Sequence, residues 1–122
     1  MGTFRHRIEI GDPEGRRFEA VDALVDTGAS YTMAPFSMLQ RLGVTPIDRA
    51  TFILGDSRRV ERDIGRTWIR VDGRLEITFV VFGDEQLGAV LGAYSLEGLR
   101  LGVDPVSQRL VPTPGLLMLL ER

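Results

Sequence analysis

Apolar residues come in short runs along this chain, cut every few positions by glycine, proline or a charged pair. Thr3 to Ile10 reads as a strand, and Gly11-Asp12-Pro13-Glu14-Gly15 as the turn that ends it. Phe18 to Val25 reads as a second strand, with Phe18, Ala20 and Val21 to Val25 expected to be increasingly buried. Pro35 followed by Phe36, Met38, Leu39 and Leu42, then Gly43, predicts a short helix with proline in its first turn and glycine past its end. Thr51 to Leu54 and Val60 to Ile64 predict a hairpin around Gly55-Asp56-Ser57. Thr67 to Val71 and Arg74 to Phe82 flank Asp72-Gly73, a two-residue turn signal that demands positive φ at both positions. Leu75, Ile77, Phe79 and Val81 alternate, which predicts one buried face of that strand. Ala89-Val90-Leu91 reads as a short buried strand, Tyr94 to Leu99 as one or two helical turns, and Leu101 to Val103 with Arg109 to Val111 as a last hairpin around Asp104-Pro105. The sum is an all-β domain with one or two short helices.

Composition narrows the chemistry. The chain has 122 residues, 43% of them hydrophobic, which suits one domain with a modest core. Its formal net charge is −2, and its 15 basic residues are dispersed arginines with no lysine. Nucleic acid and anionic membranes are therefore not expected partners. The densest basic cluster, Arg58, Arg59 and Arg62, reads as a solvated hairpin face. There is no cysteine, so disulfides, thiolate nucleophiles and Cys-based metal sites are excluded. The one histidine, His6, reads as a strand residue, and neither a Ser-His-Asp triad nor a two-His metal site is expected within one chain. No metal or organic cofactor is expected. The first ten residues lack a signal-peptide core, and the most apolar run, Leu116 to Leu120, is far shorter than the roughly 20 residues of a membrane helix. The expectation is a cytoplasmic protein.

One tripeptide stands apart. Asp26 follows the apolar run Ala23-Leu24-Val25, where a carboxylate is costly unless hydrogen-bonded. Thr27 brings a hydroxyl, and Gly28 permits a close backbone approach. An Asp-Gly turn explains these residues as well as a reactive loop does. If the carboxylate is reactive, it needs a second one, because the metal-free route to peptide hydrolysis by carboxylates shares one proton between two of them. The chain has no second Asp-Thr-Gly or Asp-Ser-Gly; Asp56-Ser57-Arg58 is the nearest miss. The partner Asp26 would come from another copy across a two-fold axis.

The segment Ala23 to Ser30 resembles the active-site strand and loop of the retropepsin-like aspartic proteases. Val90-Leu91-Gly92-Ala93 resembles the family's later apolar-apolar-Gly element, which precedes a short helix, and Leu99 to Asp104 resembles the strand after it. The resemblance covers about residues 3–112 of a single domain, 1–122, leaving a tail at 113–122. It implies a small closed or partly closed barrel that is homodimeric at the Asp26 loop and hydrolyses a peptide or protein substrate. It implies Asp26 as the catalytic carboxylate, Thr27 in hydrogen bonding between subunits, and Gly28 offering its backbone to substrate or carboxylate. Ala29, Ser30 and Val90 would line the cleft, and Phe52 to Asp63 would be the flap, with Gly55, Asp56 and Ser57 at its tip. That tip is more polar than the retroviral one. A non-catalytic dimerisation or peptide-binding module of the same fold is the alternative, and a narrow processing enzyme a variant of the first. Leu116 to Leu120 would serve as an interface strand, a docking segment or a tail on the chain's own core. Trp68 and Tyr94 are expected to fill the core rather than line a pocket.

Overall fold

The computed structural model describes residues 3–115 and 117. Its strands are β1 (Phe4–Gly11), β2 (Phe18–Val25), β3 (Thr32–Pro35), β4 (Asp48–Ile53), β5 (Arg59–Val71), β6 (Arg74–Gly83), β7 (Ala89–Leu91), β8 (Leu101–Asp104) and β9 (Arg109–Pro112). Two short helices, α1 (Phe36–Arg41) and α2 (Ala93–Leu99), and a 3₁₀ turn at Glu85–Leu87 complete the described elements. The main sheet runs β1-β2-β7-β3-β6-β5-β4, and β1 also pairs with β5, so the sheet closes on itself and leaves β4 outside as an extension of β5. The β1–β5 pairing covers the β1 edge that a flat sheet of these strands would expose, and β4 keeps one open edge.

Ile8, Ile10, Val25, Leu39, Ile69, Val80, Leu91 and Leu99 fill the barrel. α1 closes on Gly43, whose φ of 78° only glycine takes at little cost. Asp72 and Gly73 adopt φ of 51° and 81°, the left-handed pair that the two-residue turn demands. The β1–β2 turn is held by Asp12, whose Oδ1 accepts the backbone N–H groups of Arg16 at 2.7 Å and Arg17 at 3.0 Å. The N–H of Arg17, more than any other contact, holds the Asp12 carboxyl below the ordinary carboxylate range. Among the described residues no helix is long and apolar enough to cross a membrane.

Four expectations change. The two strands read at Val60–Ile64 and Thr67–Val71 are one, β5, running through Gly65; a Cβ there would lie 2.6 Å from Val44 and 3.2 Å from the Thr45 carbonyl. Ala20 is exposed rather than buried, because the core-facing positions of β2 are Ala23 and Val25. Neither Trp68 nor Tyr94 is in the core: Trp68 is half-buried against Gly15, and Tyr94 is exposed. Most consequentially, the alternating face of β6 is buried as expected only at Val81 and is otherwise turned outward. Thr78, Val80 and Phe82 point into the barrel, while Leu75, Ile77 and Phe79 remain 45%, 47% and 44% exposed. Alternation marked the strand correctly but cannot say which face is inner when Thr78 and Glu76 stand on the other. The run Leu116 to Leu120 lies outside the described residues except for exposed Leu117.

Two expectations can be measured. Ile69→Ala should cost about 2–5 kcal/mol in denaturant unfolding, as for a fully buried isoleucine. Ile77→Ala on the neighbouring strand should cost less than about 1 kcal/mol; equal losses would contradict the assigned inner face. Asp12 is ionised more readily folded than unfolded, so its contribution to stability is present above the unfolded value of about 3.9 and disappears as pH falls through the lower folded value. Thermal unfolding should show a steepening acid limb below about pH 4, and Asp12→Asn should flatten it; an unchanged limb would remove Asp12 from the account.

Candidate active site

β2 ends at Val25 and the chain turns out of the barrel at Asp26. Two neighbours fix that turn. β7 runs parallel to β2 with Val25 opposite Leu91, and the Asp26 N–H donates to the Leu91 carbonyl at 3.1 Å. Within the loop, the Gly28 N–H donates to Asp26 Oδ1 at 2.9 Å, and the Ala29 N–H to the Asp26 carbonyl at 3.1 Å. A Cβ on Gly28 would stand 3.2 Å from the same Oδ1, so the glycine keeps the carboxylate's approach open. Asp26 is half-buried, while Thr27, Gly28 and Ser30 are exposed.

The outgoing half of the loop is held by the start of α2. The N–H of Ala93 donates to the Ala29 carbonyl at 2.8 Å, and that of Tyr94 to the Ser30 carbonyl at 3.0 Å. Gly92 makes this approach possible: a Cβ there would fall 2.4 Å from the Tyr31 carbonyl oxygen, closer than side-chain carbons come to any such atom. Met33 faces Val90 on the far side of β7, so β7 is enclosed by β2 and β3. Val90 is half-buried there, beside the loop.

Beneath the loop lies a polar relay that pattern reading missed. The Gly92 N–H donates to Thr32 Oγ1 at 3.1 Å. Thr32 Oγ1 meets Ser95 Oγ at 2.5 Å, and Ser95 Oγ meets Thr78 Oγ1 at 2.7 Å. Thr78 Oγ1 reaches the Phe79 carbonyl at 3.4 Å, a weak last link. The bonds can all run in one direction, so each hydroxyl donates once and accepts once. Thr32 and Ser95 are wholly buried, and among the described residues no buried side-chain nitrogen or oxygen lacks a partner. Thr32 sits in β3, a strand too short and mixed to give a periodic signal.

The β4–β5 hairpin meets the site through aromatic rings. Phe52 packs edge-on against Tyr31, centroids 5.4 Å apart, and Tyr31 also meets Tyr94 at 5.3 Å and Phe79 at 6.4 Å. Such pairs contribute about 0.5–1.5 kcal/mol each beyond burial. The hairpin tip closes on itself: Ser57 has φ 72°, its N–H donates to the Leu54 carbonyl at 2.9 Å, and Leu54 N–H donates to the Arg58 carbonyl at 2.8 Å. Asp56 accepts from Arg58 Nε at 2.7 Å and from the Arg58 N–H at 3.1 Å; the guanidinium bond, first, lowers its carboxyl from the usual range. The structure thus gathers Asp26, Thr27, Gly28, Ala29, Ser30 and Val90 in one place. Gly55, Asp56 and Ser57 stand apart at the tip of the hairpin, whose Phe52 meets Tyr31 beside the loop. Arg58 and Arg59 are solvated as expected, whereas Arg62 is half-buried and donates to Asp84 at 3.2 Å; His6 is a strand residue bonded to Asp72 at 2.9 Å. Among the described residues no three His, Asp or Glu side chains cluster as metal ligands.

No protein-family model matches the chain, and no curated protein matches it. Solved structures do. The solution structure of simian foamy virus (mac) protease is similar at 19% identity and a TM-score of 0.55, over 76% of this chain and 91% of that one. The retroviral protease-like domain of Ddi1 from Leishmania major is similar at 18% identity and a TM-score of 0.57, over 92% and 89%. The foamy viral protease-reverse transcriptase bound to an RNA/DNA hybrid matches at 15% identity and 0.55, over 75% of this chain but only 11% of that one. The likeness is one of fold: this chain is an all-β barrel with two short helices in the retropepsin-like topology.

Thr32→Val tests the relay. It keeps the shape but strands the buried Gly92 N–H and takes a partner from Ser95, and should cost about 1–3 kcal/mol in unfolding. Thr32→Ser, which retains the hydroxyl, should recover part of that. Equal losses from both would mean that packing of the methyl group matters and the hydrogen bonds do not.

Proposed function

We propose that the chain is an aspartic endopeptidase that works as a homodimer, each copy supplying one Asp26. The observation that carries this reading is the fixed loop. A carboxylate stands at the end of a core strand, held by its own Gly28 N–H and by β7, in a retropepsin-like barrel.

Two such carboxylates facing each other cannot both ionise easily, so the pair holds one proton between them and titrates as a unit. The ionised Asp26 takes a proton from water as the water oxygen attacks the peptide carbonyl carbon. The protonated Asp26 gives its proton to the carbonyl oxygen. When the C–N bond breaks, the departing nitrogen takes a proton from the pair and one hydroxyl of the tetrahedral intermediate gives its proton back as the carbonyl re-forms, so the pair again holds one proton. Gly28 presents backbone to the substrate or the carboxylate, and Ala29, Ser30 and Val90 line the cleft. Thr27, at the exposed apex of the loop, serves hydrogen bonding between subunits. The β4–β5 hairpin acts as the flap, closing Gly55, Asp56 and Ser57 over an extended peptide and excluding water.

Asp26→Asn should lower turnover by a factor on the order of 10²–10⁴ while the dimer persists in sedimentation. Wild-type specific activity on a diverse peptide pool, assayed from about pH 4 to 7, should rise with protein concentration until dimerisation is complete. Identical products from wild type and Asp26→Asn would sink the reading and leave a dimerisation or peptide-binding module.

A further inference from the structure

The inverted face of β6 has no role in the barrel. Leu75, Ile77 and Phe79 project outward at alternate positions, each about half exposed. Across β5 the register sets Arg70 beside Leu75, Trp68 beside Ile77 and Arg66 beside Phe79. Contiguous apolar surface of this kind on a soluble domain marks an interaction site more often than chance. It is also continuous with the candidate active site: Phe79 touches Tyr31, and Tyr31 touches Phe52 of the hairpin.

We propose that this strip is an exosite, where a stretch of the protein substrate remote from the cleaved bond docks in extended form. The inference rests on the endopeptidase reading and adds to it the class of substrate: a chain with apolar side chains at alternate positions and a carboxylate at the end nearest the cleft. The spacing follows from the strip, because alternate side chains along β6 recur at the period of an extended partner strand. The charge follows from its arginines. Arg70 is bonded to Glu9 at 2.7 Å and lies over the Phe18 ring at 4.0 Å. The Arg66 side chain, exposed and next to Phe79, makes no hydrogen bond or ion pair among the described residues. A second copy seated on the strip fits less well: on β5 and β6 this face carries no carboxylate to meet Arg66, and the neighbouring Glu9 of β1 is already bonded to Arg70.

The double variant Leu75→Thr/Ile77→Thr keeps strand propensity and leaves Phe79, which touches Tyr31, in place. On unfolded casein its kcat/KM should fall about tenfold, the loss of one well-docked apolar contact pair. On a short peptide spanning one casein cleavage site it should match wild type. Binding is read separately in Asp26→Asn protein, where the chain's single tryptophan, Trp68, stands on the strip itself. A tryptophan-free synthetic peptide with leucine at alternate positions and a terminal glutamate should shift Trp68 fluorescence saturably. The same composition with its leucines contiguous should bind more weakly, and Arg66→Glu should weaken the alternating peptide. Equal casein and short-peptide effects in the double variant, or a Trp68 signal indifferent to leucine spacing, would overturn the exosite. So would self-association beyond the dimer that the double variant abolishes, which would assign the strip to a second copy. Saturable Trp68 binding together with a wild-type chain that cleaves neither casein nor the short peptide would instead sink the endopeptidase reading and leave the docking strip standing.

Discussion

Everything at the site depends on one close approach, that of the Gly92 backbone to the Tyr31 carbonyl. A side-chain carbon at Gly92 would stand 2.4 Å from that oxygen, so no other residue lets β7 and the start of α2 lie so near the loop. From that contact follow the bonds of Ala93 and Tyr94 to the Ala29 and Ser30 carbonyls, and that of Gly92 to Thr32. Leu91 holds the incoming side at the Asp26 N–H. A loop gripped from both ends in this way is a rigid mount for a carboxylate. The hydroxyl relay through Thr32, Ser95 and Thr78 ties the mount to β6, the strand that also carries the outer strip.

Much of this was readable in the residues, for identifiable reasons. Asp72-Gly73 and Gly43 announced themselves because few residues tolerate positive φ. Ala89-Val90-Leu91 stood out as a short apolar run ended by glycine, and its likeness to a known element gave it a place beside Asp26. What escaped was whatever depends on tertiary contact. β3 is four residues of mixed polarity, and its meaning lies in Thr32 accepting a bond from a residue far along the chain. β5 looked like two strands because Gly65 punctuates it, whereas the glycine is there to admit Val44 and the Thr45 carbonyl. The face of β6 was misassigned because periodicity has no sign. Burial followed the relay and α2 rather than hydrophobicity, leaving three large apolar side chains outside.

The inverted face and the loop belong to one picture. The barrel interior is satisfied by Val80, Phe82 and their neighbours, so Leu75, Ile77 and Phe79 are surplus to folding. The aromatic contacts of Tyr31 with Phe79 and Phe52 then connect the surplus surface to the hairpin over the site. The likeness to foamy virus protease and to the Leishmania Ddi1 domain supplies the fold; the proposed chemistry would rest on Asp26 and on a partner copy bringing the second one.

The central claim is that one chain carries half of an active site, and subunit mixing tests it most directly. Wild-type and Asp26→Asn chains are unfolded together in equal amounts and allowed to pair at random. If each site needs two Asp26 carboxylates, only wild-type pairs are active, and about a quarter of the activity of the same total amount of wild-type protein remains. If each chain carries a complete site, about half remains, and the shared-dyad account is wrong.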